Sequence, residues 1–144
     1  MNAKTAIALL LVFLSQASAA EDVAFACPSV LPSAATPPWS MHTATSAPSD
    51  DPSGRHSAAG MALFAGHPRD DASLVPDSDR SVGRDAREST WVLSGEHWVG
   101  CAYRGTPAML VQRVPAQLDR CRMLYRARKD YTAVSKFVCT RTAN

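Results

Sequence analysis

The chain of 144 residues is poor in glycine (7 residues), poor in aromatics (7%) and almost charge-balanced at a formal +2. It holds no Gly-rich string, which excludes a phosphate-cradling loop. It lacks Gly-x-Ser-x-Gly, so the nucleophile elbow of a serine hydrolase is not encoded. The four cysteines include no Cys-x-x-Cys pair and have no histidine at ligand spacing, so no metal site is expected. No apolar run approaches the ~20 residues of a membrane-spanning helix. Strands alternating with helices are missing too, which argues against a doubly wound sheet. The chain is also too short for the large nucleotide-binding and barrel enzymes. What is present is 46% hydrophobic residues, enough to build a core and to argue against wholesale disorder. One small domain is expected.

The N-terminus reads as a targeting segment. Lys4 supplies a positive start, Ala6 to Leu14 form an apolar run, and Ser15-Gln16-Ala17-Ser18-Ala19-Ala20 offers small residues for signal peptidase. Residues 1–20 are therefore expected to be a signal peptide cleaved after Ala19 or Ala20. Residues 21–144 then form a single exported domain, periplasmic or secreted. Glu21 and Asp22 separate Cys27 from the apolar run and argue against lipid attachment. In an oxidising compartment the four cysteines predict two disulfides.

Residues 28–89 are loop-rich and hold most of the prolines. Thr43 to Ser57 and Asp77 to Ser89 read as exposed loops. Between them the apolar run Gly60 to Gly66 reads as a buried strand, with a helix over Ala58 to Ala65 as the competing assignment. Val23 to Cys27 is a further candidate strand. Residues 90–141 are more regular, with extended segments at Thr90–Leu93, His97–Tyr103, Ala108–Arg113, Arg120–Ala127 and Ala133–Thr140. Turn residues separate them at about ten-residue spacing, which suggests an antiparallel meander. The expected fold is mainly β, a small sandwich or partly open barrel with long loops in its N-terminal half and stabilised by disulfides.

A hairpin centred on Asp130 sets Cys121 opposite Cys139, Met123 opposite Phe137, Tyr125 opposite Ser135 and Ala127 opposite Ala133. One face then receives the apolar side chains and both sulfurs. The favoured pairs are Cys121–Cys139 and, for the two that remain, Cys27–Cys101. The rival Cys101–Cys121 would span two strands, about 10 Å, if Ala108–Arg113 lies between them.

Phe25-x-Cys27-Pro28, Phe64-x-Gly66-x-Pro68, Leu74-x-Pro76, Trp91-x-Leu93, Trp98-x-x-Cys101-x-Tyr103, Leu110, Cys121 and Val138-Cys139 occur in that order. This pattern resembles a family of small exported proteobacterial proteins of unknown function, named after a Salmonella Typhi locus. The resemblance implies a periplasmic or secreted domain with a four-cysteine frame. It assigns no catalytic residue.

Charge is the remaining signal. Residues 104–144 carry nine basic side chains against Asp119 and Asp130, a net of +7, whereas residues 21–103 sum to −6. Arg120, Arg122 and Arg126 share the even face of their strand, and Lys136 joins them across the hairpin. These four are candidate anion-binding residues. Against this, the acidic half can fold over the basic half, or the arginines can guard a sheet edge. Trp91, Trp98 and Tyr103 form a candidate aromatic cluster, since a Gly95-Glu96 turn would set Leu93 opposite Trp98 with Trp91 on the same face. Aromatic interleaving is too thin for nucleic acid.

For catalysis the sequence offers only His97, Glu96 and the Asp70-Asp71 loop, without a recognisable arrangement. No catalytic residue, no cofactor and no enzymatic activity are expected. The favoured reading is a non-enzymatic binding or inhibitor-like envelope protein whose partner is an envelope protein or an anionic polymer. An anion-binding protein using the basic C-terminal face, and a hydrolase of envelope polymers, are the alternatives.

Overall fold

The computed structural model describes residues 22–43, 54–128 and 132–142. The expected signal peptide and most of the Thr43 to Ser57 loop fall outside them. Among these residues nine strands make two antiparallel sheets. They are β1 (Val23–Phe25), β2 (Ser40–Thr43), β3 (Ala58–Ala65), β4 (Ser78–Ser81), β5 (Arg87–Val92), β6 (His97–Tyr103), β7 (Ala108–Arg113), β8 (Arg120–Ala127) and β9 (Thr132–Thr140). The five-stranded sheet runs β1-β9-β8-β5-β4, and the four-stranded sheet runs β2-β7-β6-β3. The molecule is mainly β, and the apolar run at 58–65 is a strand rather than a helix.

The C-terminal strands do not form one continuous meander. Hairpins β6–β7 and β8–β9 lie in different sheets, and β5 pairs with β8 and β4 instead of β6. The hairpin expected around Gly95-Glu96 is therefore absent, for a reason of parity. Glycine aside, both β5 and β6 carry their buried side chains at odd positions: Ser89 and Trp91 in one, His97, Val99, Cys101 and Tyr103 in the other. A two-residue turn would set odd against even and send these two sets to opposite sides of one sheet. Stacking the strands in facing sheets buries both sets together. The two crossings run side by side, tied where Leu93 N donates to Asp119 O at 2.7 Å and Val114 N donates to His97 O at 2.9 Å.

The core between the sheets centres on Phe137, with Phe25 and Trp91 edge-on to it at centroid distances of 5.7 and 5.9 Å. Leu63, Val99, Val114, Leu118, Met123 and the Cys121–Cys139 pair complete it. A second cluster gathers Cys101, Tyr103 and Leu110 under the segment carrying Cys27, Leu31 and Trp39. The disulfides are Cys27–Cys101 and Cys121–Cys139. The first joins the end of β1 to β6 and so links the two sheets; the second lies within the five-stranded sheet.

The register of β8 with β9 departs from the expected one halfway along. Cys121 opposes Cys139 and Met123 opposes Phe137, but Tyr125 opposes Val134 and Arg126 opposes Ala133. Ser135 is the extra residue of a β-bulge. An unbroken register would turn polar Ser135 inward beside Tyr125. The bulge leaves Ser135 exposed, where its hydroxyl donates to Leu124 O at 3.0 Å, and brings Val134 against the core.

Candidate functional site

The outward face of the five-stranded sheet follows from strand alternation. On β8 the odd residues Cys121 and Met123 are buried, so Arg120 and Arg122 project outward and are exposed, as is Arg126. Thr90 and Val138 flank Arg122, and Val92 and Thr140 flank Arg120. On the far side of β5, Arg80 of β4 opposes Glu88. The bulge leaves Lys136 opposite Leu124, so it stays on this face with the three arginines. All four candidate anion-binding residues are thus brought to one surface. Arg80 joins them.

One carboxylate is ion-paired on this face among the described residues. Glu88, with its side chain 13% exposed, accepts from Arg80 Nε and Nη2 at 3.0 and 2.6 Å, and Arg122 Nε stands 3.8 Å away. Arg126 and Lys136 make no ion pair among the described residues. Five cations gather on this face, where Glu88 is ion-paired and Asp119 lies close enough to Arg120 to feel its charge. Arg80, Glu88, Arg120 and Arg122 rim a recess of about 330 Å³ floored by Thr90, Val138 and Thr140.

Sequence reasoning missed Arg80 and Glu88. Both lie in the stretch read as a charged loop, which instead contains β4 and the start of β5. The available signal was the eight-residue spacing of Arg80 from Glu88 and of Asp79 from Arg87 about a Gly83-containing turn. Both are cross-strand ion pairs. Arg87 donates to Asp79 at 3.1 Å, and this bond holds the Asp79 carboxyl below its ordinary range, helped by the Tyr125 hydroxyl at 3.0 Å.

The aromatic residues are dispersed rather than clustered. Trp91 lies in the main core, its Nε1 donating to Leu74 O at 3.3 Å. Tyr103 belongs to the second cluster, where its hydroxyl donates to Pro28 O at 3.1 Å and burial pushes its pKa up. Trp98 is on the outer face of the other sheet. There its ring meets His67 edge-on at 4.6 Å, and His67 meets His42 at 5.4 Å. Its Nε1 donates to Glu96 Oε1 at 2.7 Å, and Arg113 reaches Glu96 Oε2 at 3.1 Å. The indole bond, then the nearby charges of Arg113, His67 and Arg69, hold the Glu96 carboxyl below its ordinary value. This face is covered close to the sheet. A Cβ on Gly100 would come 2.8 Å from Phe64 Cε2 and 2.5 Å from Met109 Sδ.

The residues considered for catalysis do not assemble. His97 is buried, with Nδ1 3.1 Å from Gly95 O. Glu96 is engaged as above, while Asp70 and Asp71 are exposed at a 3-10 turn over Pro68–Asp70. No group of three or more His, Cys, Asp or Glu among the described residues is placed to hold a metal ion. No helix among them is long and apolar enough to cross a membrane. A groove of about 240 Å³ opens where β1 ends between β9 and β3, lined by Phe25, Met61, Val134 and Phe137 with Thr132 and Lys136.

A protein-family model described as the Type VI secretion system Tli immunity protein matches residues 52–140. The matched span begins before β3 and ends with β9, so it includes the strands β4, β5, β8 and β9 that carry the charged residues of this face and leaves out β1 and β2. No curated protein and no solved structure matches the chain.

Proposed function

Because the chain belongs to the Type VI secretion system Tli immunity protein family, we propose that it is a non-enzymatic inhibitor that protects a cell by binding a Type VI effector. The family match carries this reading. It agrees with a small sandwich cross-linked within one sheet and between the two, which offers a partner a preorganised surface at little ordering cost. It agrees also with the engagement of all four cysteines in disulfides, which leaves no free thiol for nucleophilic chemistry. We place its action in the periplasm. That location draws on the signal-like N-terminus, on the disulfides, and on the motif resemblance to exported proteobacterial proteins.

The test is neutralisation. A Type VI effector from the strain of origin, directed to the periplasm of a sensitive host, should arrest growth, and co-expression of this protein should restore it. The purified pair should form a stoichiometric complex by calorimetry. Growth arrest unchanged by the protein, with no complex at micromolar concentrations for any effector of that strain, would overturn the reading. Mass spectrometry of the periplasmic fraction should find a mature chain beginning at Ala20 or Glu21.

A further inference from the structure

The outer face of the five-stranded sheet holds Arg120, Arg122 and Arg126 on one strand, with Lys136 and Arg80 on strands to either side. Side chains two apart on a strand are ~7 Å apart, so Arg120 and Arg122 stand about 7 Å apart and Arg126 about 13 Å beyond, a cationic row about 20 Å long. Like charges at such spacing repel one another, and Glu88 offsets only part of this. A protein gains no stability from such a row.

Two structural explanations are set aside by the fold. Arginines guard sheets at their edges, which applies to Arg80 on β4, but β8 is the middle strand of its sheet, paired on both sides. The acidic half meets the basic half at Glu96 with Arg113 on the other sheet, while Asp79 is bonded to Arg87; on this face Glu88 is the one ion-paired carboxylate among the described residues. We propose that this face is the docking surface for the effector, and that it receives an acidic patch of that protein through Arg80, Arg120, Arg122, Arg126 and Lys136.

The inference rests on the immunity reading and adds to it the face used and the chemistry of the partner. A folded protein fits the surface better than a polyanion or a membrane does. The recess beside Arg120 and Arg122 has a floor of threonine and valine, and Val92 next to it is 64% exposed. That combination of a floor offering both hydroxyls and methyls and a mostly cationic rim suits an Asp or Glu side chain presented from a shaped partner. Among the described residues no aromatic side chain is seen to project here to stack on bases, since Tyr125 is directed to Asp79 and packs against the core.

The experiment compares wild type with Arg120→Glu/Arg126→Glu and, as a charge-matched control away from this face, Arg69→Glu in the 3-10 turn with Arg113→Glu on β7 of the other sheet. Binding to the purified effector is measured at 50 and 300 mM salt, with folding checked by circular dichroism. Wild-type affinity should fall at least tenfold between the two salts. The β8 pair should lose at least tenfold at low salt and much of its salt dependence, while the control pair stays within threefold. A single Lys136→Glu variant should lose a smaller factor in the same direction. Equal affinity and equal salt response of the β8 pair and wild type would overturn the docking face and leave the immunity reading standing. Wild-type protein that ignores the effector overturns both. If it instead binds phosphatidylglycerol vesicles in a manner lost in the β8 pair, the face serves a membrane.

Discussion

Glu96 shows how a single side chain can be set by neighbours adjacent in sequence. It is exposed at the crossing between the sheets, yet its carboxylate accepts from the Trp98 indole two residues on and from Arg113. These partners favour the ionised form, which is why its pKa is lowered, the indole bond foremost. The linkage sign follows directly. A depressed carboxylate stabilises the fold above its unfolded pKa, and that contribution is lost as pH falls through the lower folded value. In a side-chain carboxyl titration by NMR, Trp98→Phe should move the Glu96 pKa back up toward the ordinary glutamate value. An unmoved titration would mean that Arg113 and the surrounding charges, and not the indole, hold it down.

At the scale of elements, β6, β7 and β8 lie where apolar alternation and turn residues place them, with the same limits. β2 and β4 escaped because Ser40–Thr43 and Ser78–Ser81 are short edge strands without a buried face, so no apolar pattern marks them. Parity within each strand was legible, which brought Arg120, Arg122 and Arg126 together. Which sheet a strand joins was not legible, because alternation along β5 and β6 is the same whether they pair edge to edge or stack face to face. The bulge is a local instance of the same gap, since only the competition between Val134 and Ser135 for the core decides it. Val134→Ser should cost about 1–2 kcal/mol of unfolding free energy, as expected for removing a partly buried aliphatic side chain. Ser135→Ala should cost no more than about 0.5 kcal/mol, as for an exposed polar contact. Urea denaturation of the two variants ranks them, and the unbroken register would require the reverse order.

For the whole molecule, the disulfides differ in what they span. Cys121 and Cys139 are 18 residues apart, whereas Cys27 and Cys101 are 74 apart and connect one sheet to the other. Loop-closure entropy assigns about 3 kcal/mol to the shorter link and about 4.5 kcal/mol to the longer. Replacing both cysteines of the Cys27–Cys101 pair by serine should therefore lower the urea midpoint more than the same change at Cys121 and Cys139. Equal midpoints would indicate that the sheets hold together by the packing of Leu63 and Val99 of one sheet on Phe25, Trp91 and Phe137 of the other. The overall charge has a similar two-part character. The +7 and −6 halves of the sequence are interleaved in the five-stranded sheet, where Glu88 of one half meets Arg122 of the other. Enough of the C-terminal excess is left on β8 and β9 to make one side of the molecule cationic.

The strand order also constrains when the molecule can become whole. β1 has a single partner, β9, with Val23 beside Cys139. A ribosome delivers residue 23 more than a hundred residues ahead of residue 139. The first strand must therefore wait, with Phe25 lacking the Phe137 ring it packs on, until nearly all of the chain has emerged. The link from Cys27 must likewise await Cys101. Closure is a terminal event, and a chain cut short before Thr132 would have both sheets begun and neither the seam nor the core sealed.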